Sequence, residues 1–135
     1  MLETVVVLVA ANSGKQPLFT LDERVEMLRQ VCMDLPNVRV EKLGEELLVN
    51  YAVRNGAQII VKGLRAVSDF EYEFQMALLN RHLQPHVETV FLMTSAEHSY
   101  LSSSIVKEIG RLQGDITGLV PTTVQPFLQA KFAKF

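Results

Sequence analysis

Apolar positions along this chain follow two alternating rhythms. "TVVVLVAA" (4–11) is β-branched and apolar at both parities, the pattern of a strand buried on both faces, as in a parallel sheet. "NSGKQP" interrupts it as a loop. Thr20 with Glu23 then forms a capping box, and Leu21, Val25, Leu28, Cys32 and Leu35 recur at helical spacing behind it. "VRVEK" (38–42) reads as a short strand, and "EELLVNYAVRN" as a helix closed by Gly56. "AQIIVK" (57–62) is the third strand. Ser68 with Glu71 predicts a second capping box, opening a helix whose Phe70, Phe74, Ala77 and Leu78 share one side and are read as core. Pro85 ends that region, and "TVFLMT" (89–94) is the fourth strand. Helices are predicted over about 102–112 and from beyond Pro121 to near Lys134, with Pro126 tolerable only in the last helix's first turn.

Strands alternating with helices predict an α/β domain with a parallel sheet. No internal repeat, low-complexity segment or long linker divides residues 1–135, so one domain is expected. The 135 residues are 48% hydrophobic, enough for a core, and carry a net charge of −2. The acidic balance argues against a nucleic-acid partner, so any basic site is local. Cys32 is the lone cysteine, which excludes an internal disulfide and a cysteine metal framework. His82, His86 and His98 lack ligand spacing, and no metal site is predicted. The run from Val5 to Ala11 is too short to span a bilayer and lacks a basic leader. A cytoplasmic protein without a membrane partner is expected.

Ligands of open α/β sheets bind beyond the carboxyl ends of the strands. Asn12, Ser13 and Lys15 follow the first strand, Lys62, Gly63 and Arg65 come at the end of the third, and Thr94, His98 and three serines follow the fourth. Three cations on one edge of an acidic protein suit a polyanion. Ser102, Ser103 and Ser104 open a helix, whose unpaired N–H groups and positive dipole end favour phosphate; a plain polar loop with one N-cap is the other reading. "SGK" is not a Walker A loop, because Val9 stands where that motif needs glycine and Gln16 where it needs Ser or Thr. Glu71 and Glu73 are either first-turn acids favoured by the helix dipole or acceptors for a ribose hydroxyl. Spacing does not choose between them.

"KQPLFTLDERVEML", "VKGLRAVSDFEYEFQMALLNRHL" and "YLSSSIVKEI" together resemble the bacterial phosphopantetheine adenylyltransferases, Rossmann-like members of the nucleotidyltransferase superfamily. The likeness covers essentially the whole chain. It implies transfer of the adenylyl group of ATP to 4′-phosphopantetheine, giving dephospho-coenzyme A and pyrophosphate in coenzyme A synthesis. It also implies Mg2+ with the ATP and a homohexamer. By resemblance, Lys15 contacts the acceptor phosphate and the α-phosphate under attack. Lys62 holds the acceptor phosphate where the family most often has Arg, as a point charge rather than a fork. Leu48 meets the pantetheine arm. Gly63, Leu64 and Arg65 line the ATP site, and Glu73 rather than Glu71 matches its acid. His98, Ser99, Tyr100, Leu101, Ser102, Ser103 and Ser104 match the segment that covers adenine and grips the outer phosphates, with His98 where an aromatic is common.

The family opens with a strand, a G-x-F-D-P segment and a G-H turn whose His stabilises the transition state. Nothing here matches them, and Met1 to Thr4 align with the end of the family's first helix. The chain therefore reads as N-terminally incomplete relative to the family, short of the strand that is central in its sheet. That absence is expected to leave the strands on either side without a neighbour. A fragment or misplaced start, a short form complemented by another chain, and a non-catalytic nucleotide- or coenzyme A-binding homologue all remain open.

Overall fold

The computed structural model describes residues 2–11, 16–65 and 67–133, with the side chains of Val67 and Ser68 outside that description. The described residues fall into two compact units, residues 1–44 with 102–135, and residues 45–101.

The first unit begins with β1 (Val5–Ala10), α1 (Leu21–Val31) and β2 (Val38–Leu43). β1 and β2 pair in parallel, from Val5 opposite Val38 to Ala10 opposite Leu43. The capping box at α1 forms as its residues predict. Thr20 N–H donates to Glu23 Oε2 at 2.8 Å, and Glu23 N–H donates to Thr20 Oγ1 at 3.1 Å. Val25 and Met27 are the buried residues of α1, which packs on both strands. Burial of β1 on both faces was expected; only Val9 is buried and Val5 to Leu8 are half-buried. β1 has one ladder partner among the described residues, β2.

α4 (Ser103–Arg111) and α5 (Gln125–Phe132) complete this unit. Val106, Ile116, Leu128 and Phe132 form a core cluster in this unit, with Leu18, Phe19, Ile109 and Val124 against them. Pro126 lies in the first turn of α5, where its missing N–H costs nothing. α4 ends in a Schellman turn. Gln113 N–H donates to Gly110 O at 3.0 Å and Gly114 N–H to Ile109 O at 2.8 Å, with Gln113 at φ 61°. Lys131 of α5 reaches Glu23 at 2.9 Å and lies over the Phe19 ring.

The second unit holds α2 (Leu48–Arg54), β3 (Ile59–Leu64), α3 (Val67–Leu83), β4 (Glu88–Met93) and a 3₁₀ turn (Ala96–His98). Gly56, at φ +71°, closes α2 as predicted, in a second Schellman turn. β3 and β4 run parallel, from Ile59 opposite Glu88 to Leu64 opposite Met93. Val49, Ala52, Ile60 and Val87 make the core, and Leu48 packs on it. The parity of β3 matters for chemistry. Ile60, Lys62 and Leu64 share the more covered face, while Ile59, Val61 and Gly63 are exposed.

The parallel α/β architecture is as expected, with the ladders arranged as two separate pairs. Two local expectations need correction. α3 begins at Val67, so Ser68 lies inside the helix and is not its N-cap. Phe70, Phe74 and Leu78 are not core: they are 49%, 47% and 50% exposed, and the two phenylalanine rings stack on each other 5.6 Å apart.

Candidate functional site

The cations at the end of β3 are held by specific partners within their own unit. Lys62 points to the covered face of the strand because of its parity, and its ammonium lies 3.4 Å from Glu73 Oε2 on α3. This geometry separates the two acids that spacing left equivalent: Glu73 is half-buried against β3, and Glu71 is exposed. Gly63 and Leu64 follow in the strand, Gly63 with open space where a Cβ would stand.

Arg65 is the first residue beyond β3. Its Nε lies 3.4 Å from Asp69 Oδ2, and its Nη1 donates to the Leu101 carbonyl at 2.8 Å. Asp69 stands in the first turn of α3, where the dipole favours an acid. Sequence reasoning passed over Asp69, although an acid four residues after an arginine was a readable signal.

Leu101 ends a short run that is also tied locally. His98 Nδ1 lies 2.8 Å from Ser95 Oγ, the Ser99 hydroxyl donates to Ala96 O at 2.9 Å, and Leu101 N–H donates to His98 O at 3.1 Å. Tyr100 is exposed. The histidine, serine and backbone contacts give this turn a defined shape, with His98 and Tyr100 open to solvent.

In the other unit, the three serines divide their work. Ser102 is the N-cap of α4, its Oγ accepting from Ile105 N–H at 3.2 Å. The first intrahelical bond runs from Val106 N–H to Ser102 O. Ser103 and Ser104 therefore carry N–H groups without an intrahelical acceptor, and both side chains are exposed. One serine makes the cap; the next two present hydroxyls and amides of the kind that bind oxyanions.

Leu48, at the first position of α2, is half-buried and packs on the cluster of Val49, Ala52, Ile60 and Val87. Lys15, with Asn12 and Ser13, lies outside the described residues. An open groove of about 350 Å³ on β1 and α1 is lined by Leu8, Val9, Met27, Leu28 and Arg24 among others, and includes none of the predicted site residues. His82, His86 and His98 are exposed, and no group of three metal-binding side chains occurs among the described residues. No described helix is long and apolar enough to cross a membrane.

A family model described as cytidylyltransferase-like matches residues 1–109. A phosphopantetheine adenylyltransferase of Caldanaerobacter subterraneus subsp. tengcongensis is 51% identical over 134 residues, covering 99% of this chain and 83% of the relative. One from Desulforudis audaxviator is 52% identical over 130 residues, covering 96% and 79%. One from Carboxydothermus hydrogenoformans is 49% identical over 134 residues, covering 99% and 82%.

Proposed function

This chain belongs to the phosphopantetheine adenylyltransferases within the cytidylyltransferase-like family, and on that premise we propose how its residues share the transfer of an adenylyl group from ATP to 4′-phosphopantetheine. A phosphate oxygen of the acceptor attacks the α-phosphorus of ATP. The bond from that phosphorus to the α–β bridging oxygen breaks. Pyrophosphate leaves with the bond's electron pair, and dephospho-coenzyme A remains. Such a displacement asks a protein for alignment and for positive charge where negative charge accumulates, not for a covalent intermediate.

Each residue has a place in that scheme. Lys15 and Lys62 hold the acceptor phosphate as point charges, Lys15 also meeting the α-phosphate. Leu48 meets the pantetheine arm. Gly63 and Leu64 line the ATP site, the missing Cβ at Gly63 allowing close approach. Arg65 takes the outer phosphates, joined by the hydroxyls and N–H groups of Ser102, Ser103 and Ser104. Glu73 contacts the nucleotide, and His98, Ser99, Tyr100 and Leu101 cover adenine. Magnesium would accompany the ATP and would neutralise charge on its phosphates. A cytoplasmic homohexamer is proposed as the working form; the exposed Phe70 and Phe74 pair on α3 supports association.

The observation that carries this reading is identity of about half over nearly the whole chain to adenylyltransferases. The test is pyrophosphate release from MgATP that depends on 4′-phosphopantetheine. Replacing Arg65 with Ala should lower kcat/KM for ATP by about 10²-fold, the scale for losing a transition-state charge donor, with little change in melting temperature. Equal loss of folding and activity would make Arg65 structural. ATP binding without acceptor-dependent pyrophosphate release would replace the catalytic reading with a nucleotide-binding one.

A further inference from the structure

We propose that Asp69 is a positioning residue for the phosphate-binding arginine, an inference that rests on the ATP-site reading of Arg65. A guanidinium has five N–H donors in a rigid plane, and its value at a phosphate lies in presenting two of them together. An arginine at the end of a strand has several rotatable bonds and must be held if that fork is to meet the ligand in one orientation.

Here it is held from two sides. The Asp69 carboxylate lies 3.4 Å from Nε, and the Leu101 carbonyl accepts from Nη1 at 2.8 Å. Among the described residues these contacts engage Nε and Nη1, and a guanidinium so held would turn its other N–H groups to oxyanions. Asp69 is itself fixed by the first turn of a 17-residue helix, and Leu101 immediately precedes the N-cap serine of α4. One acid on a rigid element thus sets the direction of the arginine.

The sign of the effect separates this role from simple electrostatics. Asp69 puts a negative charge beside a phosphate-binding cation. If it acted only through its charge, Asp69→Asn would strengthen ATP binding by relieving repulsion. Positioning predicts the reverse.

The experiment compares the wild-type protein with D69N and D69E. Calorimetric binding of MgATP, kcat and KM for each substrate, and melting temperature are measured on all three. D69N should weaken MgATP binding and lower kcat/KM for ATP by about fivefold to tenfold, the scale of one lost charge-assisted restraint. KM for 4′-phosphopantetheine and the melting temperature should hold. D69E, which restores a carboxylate on a longer stem, should recover part of the loss. Tighter or unchanged MgATP binding by D69N overturns the proposal, as does a fall in melting temperature that accounts for the lost activity. Wild-type protein that binds MgATP without turnover refutes the catalytic reading alone, and the binding comparison still decides the role of Asp69. Wild-type protein that does not bind MgATP refutes both.

Discussion

Replacing Gly110 with Ala probes how α4, which carries the serine N-terminus, is held in its own unit. A Cβ at position 110 would lie 2.0 Å from Phe132 Cε2, 2.6 Å from Cδ2 and 2.8 Å from Cζ. Carbon atoms in packed interiors sit about 3.5–4.0 Å apart, so the ring would have to withdraw by about 1.5 Å. It has little room, being 5% exposed with Val106, Ile116 and Leu128 in the same cluster. Overpacking of this kind costs about 1–3 kcal/mol. Alanine regains up to about 1 kcal/mol of helix propensity over glycine. The net expectation is a loss of up to about 2 kcal/mol, read from the urea midpoint followed by circular dichroism. In a Phe132→Ala background the same change should stabilise, because the ring is gone and the propensity gain stands alone. The two backgrounds should differ by about 1–3 kcal/mol, the coupling of side chains in contact. A G110A protein more stable than wild type by about 1 kcal/mol, with the same effect in both backgrounds, would refute the packing of Phe132 on Gly110.

Other outcomes follow from single contacts. Gln113→Gly should stabilise by about 1 kcal/mol, because it removes a side chain from the left-handed position of the Schellman turn; an unchanged or lower urea midpoint would contradict that conformation. Ser102→Ala should cost about 1 kcal/mol as a lost N-cap, and it should also weaken MgATP binding if this helix end meets phosphate. The Thr20 N–H and Lys131 hold the Glu23 carboxyl below its ordinary range. Its folded value is thus lower than its unfolded one, so its contribution is present at neutral pH and fades as pH falls below about 4. The E23Q protein should show a shallower loss of stability across that acid range, and identical slopes would discount the Glu23 contacts.

The elements that local chemistry specifies were legible in the sequence. β-branched runs marked the four strands, Thr20 with Glu23 marked the start of α1, and Gly56 marked the end of α2. α3 was harder because Val67 to Leu83 carries apolar residues on every side, so no stripe distinguishes the covered face from the open one. Reading Phe70, Phe74 and Leu78 as core took hydrophobicity for burial, although helical spacing alone does not say that another element covers them. Ser68 and Glu71 had capping-box spacing, but the helix starts before that serine. At α4 the natural left-handed residue was Gly114, and the turn uses Gln113 instead. In the candidate site, strand ends revealed Lys62 and Arg65 as cations. The pairing of Lys62 with Glu73 depends on how α3 lies against its strands, which no local pattern encodes, whereas Asp69 stood at a readable four-residue spacing from Arg65.

The division of the chain also sets an order of assembly. Residues 45–101 are contiguous and have all their parts once Leu101 has been synthesised. Residues 1–44 belong with 102–135, so Leu18 and Phe19 wait for Leu128 and Phe132, and Glu23 waits for Lys131. A ribosome makes residues 1–44 before residues 102–135, their packing partners. The nascent chain therefore carries Leu18 and Phe19 uncovered until the α5 residues that pack on them have been made.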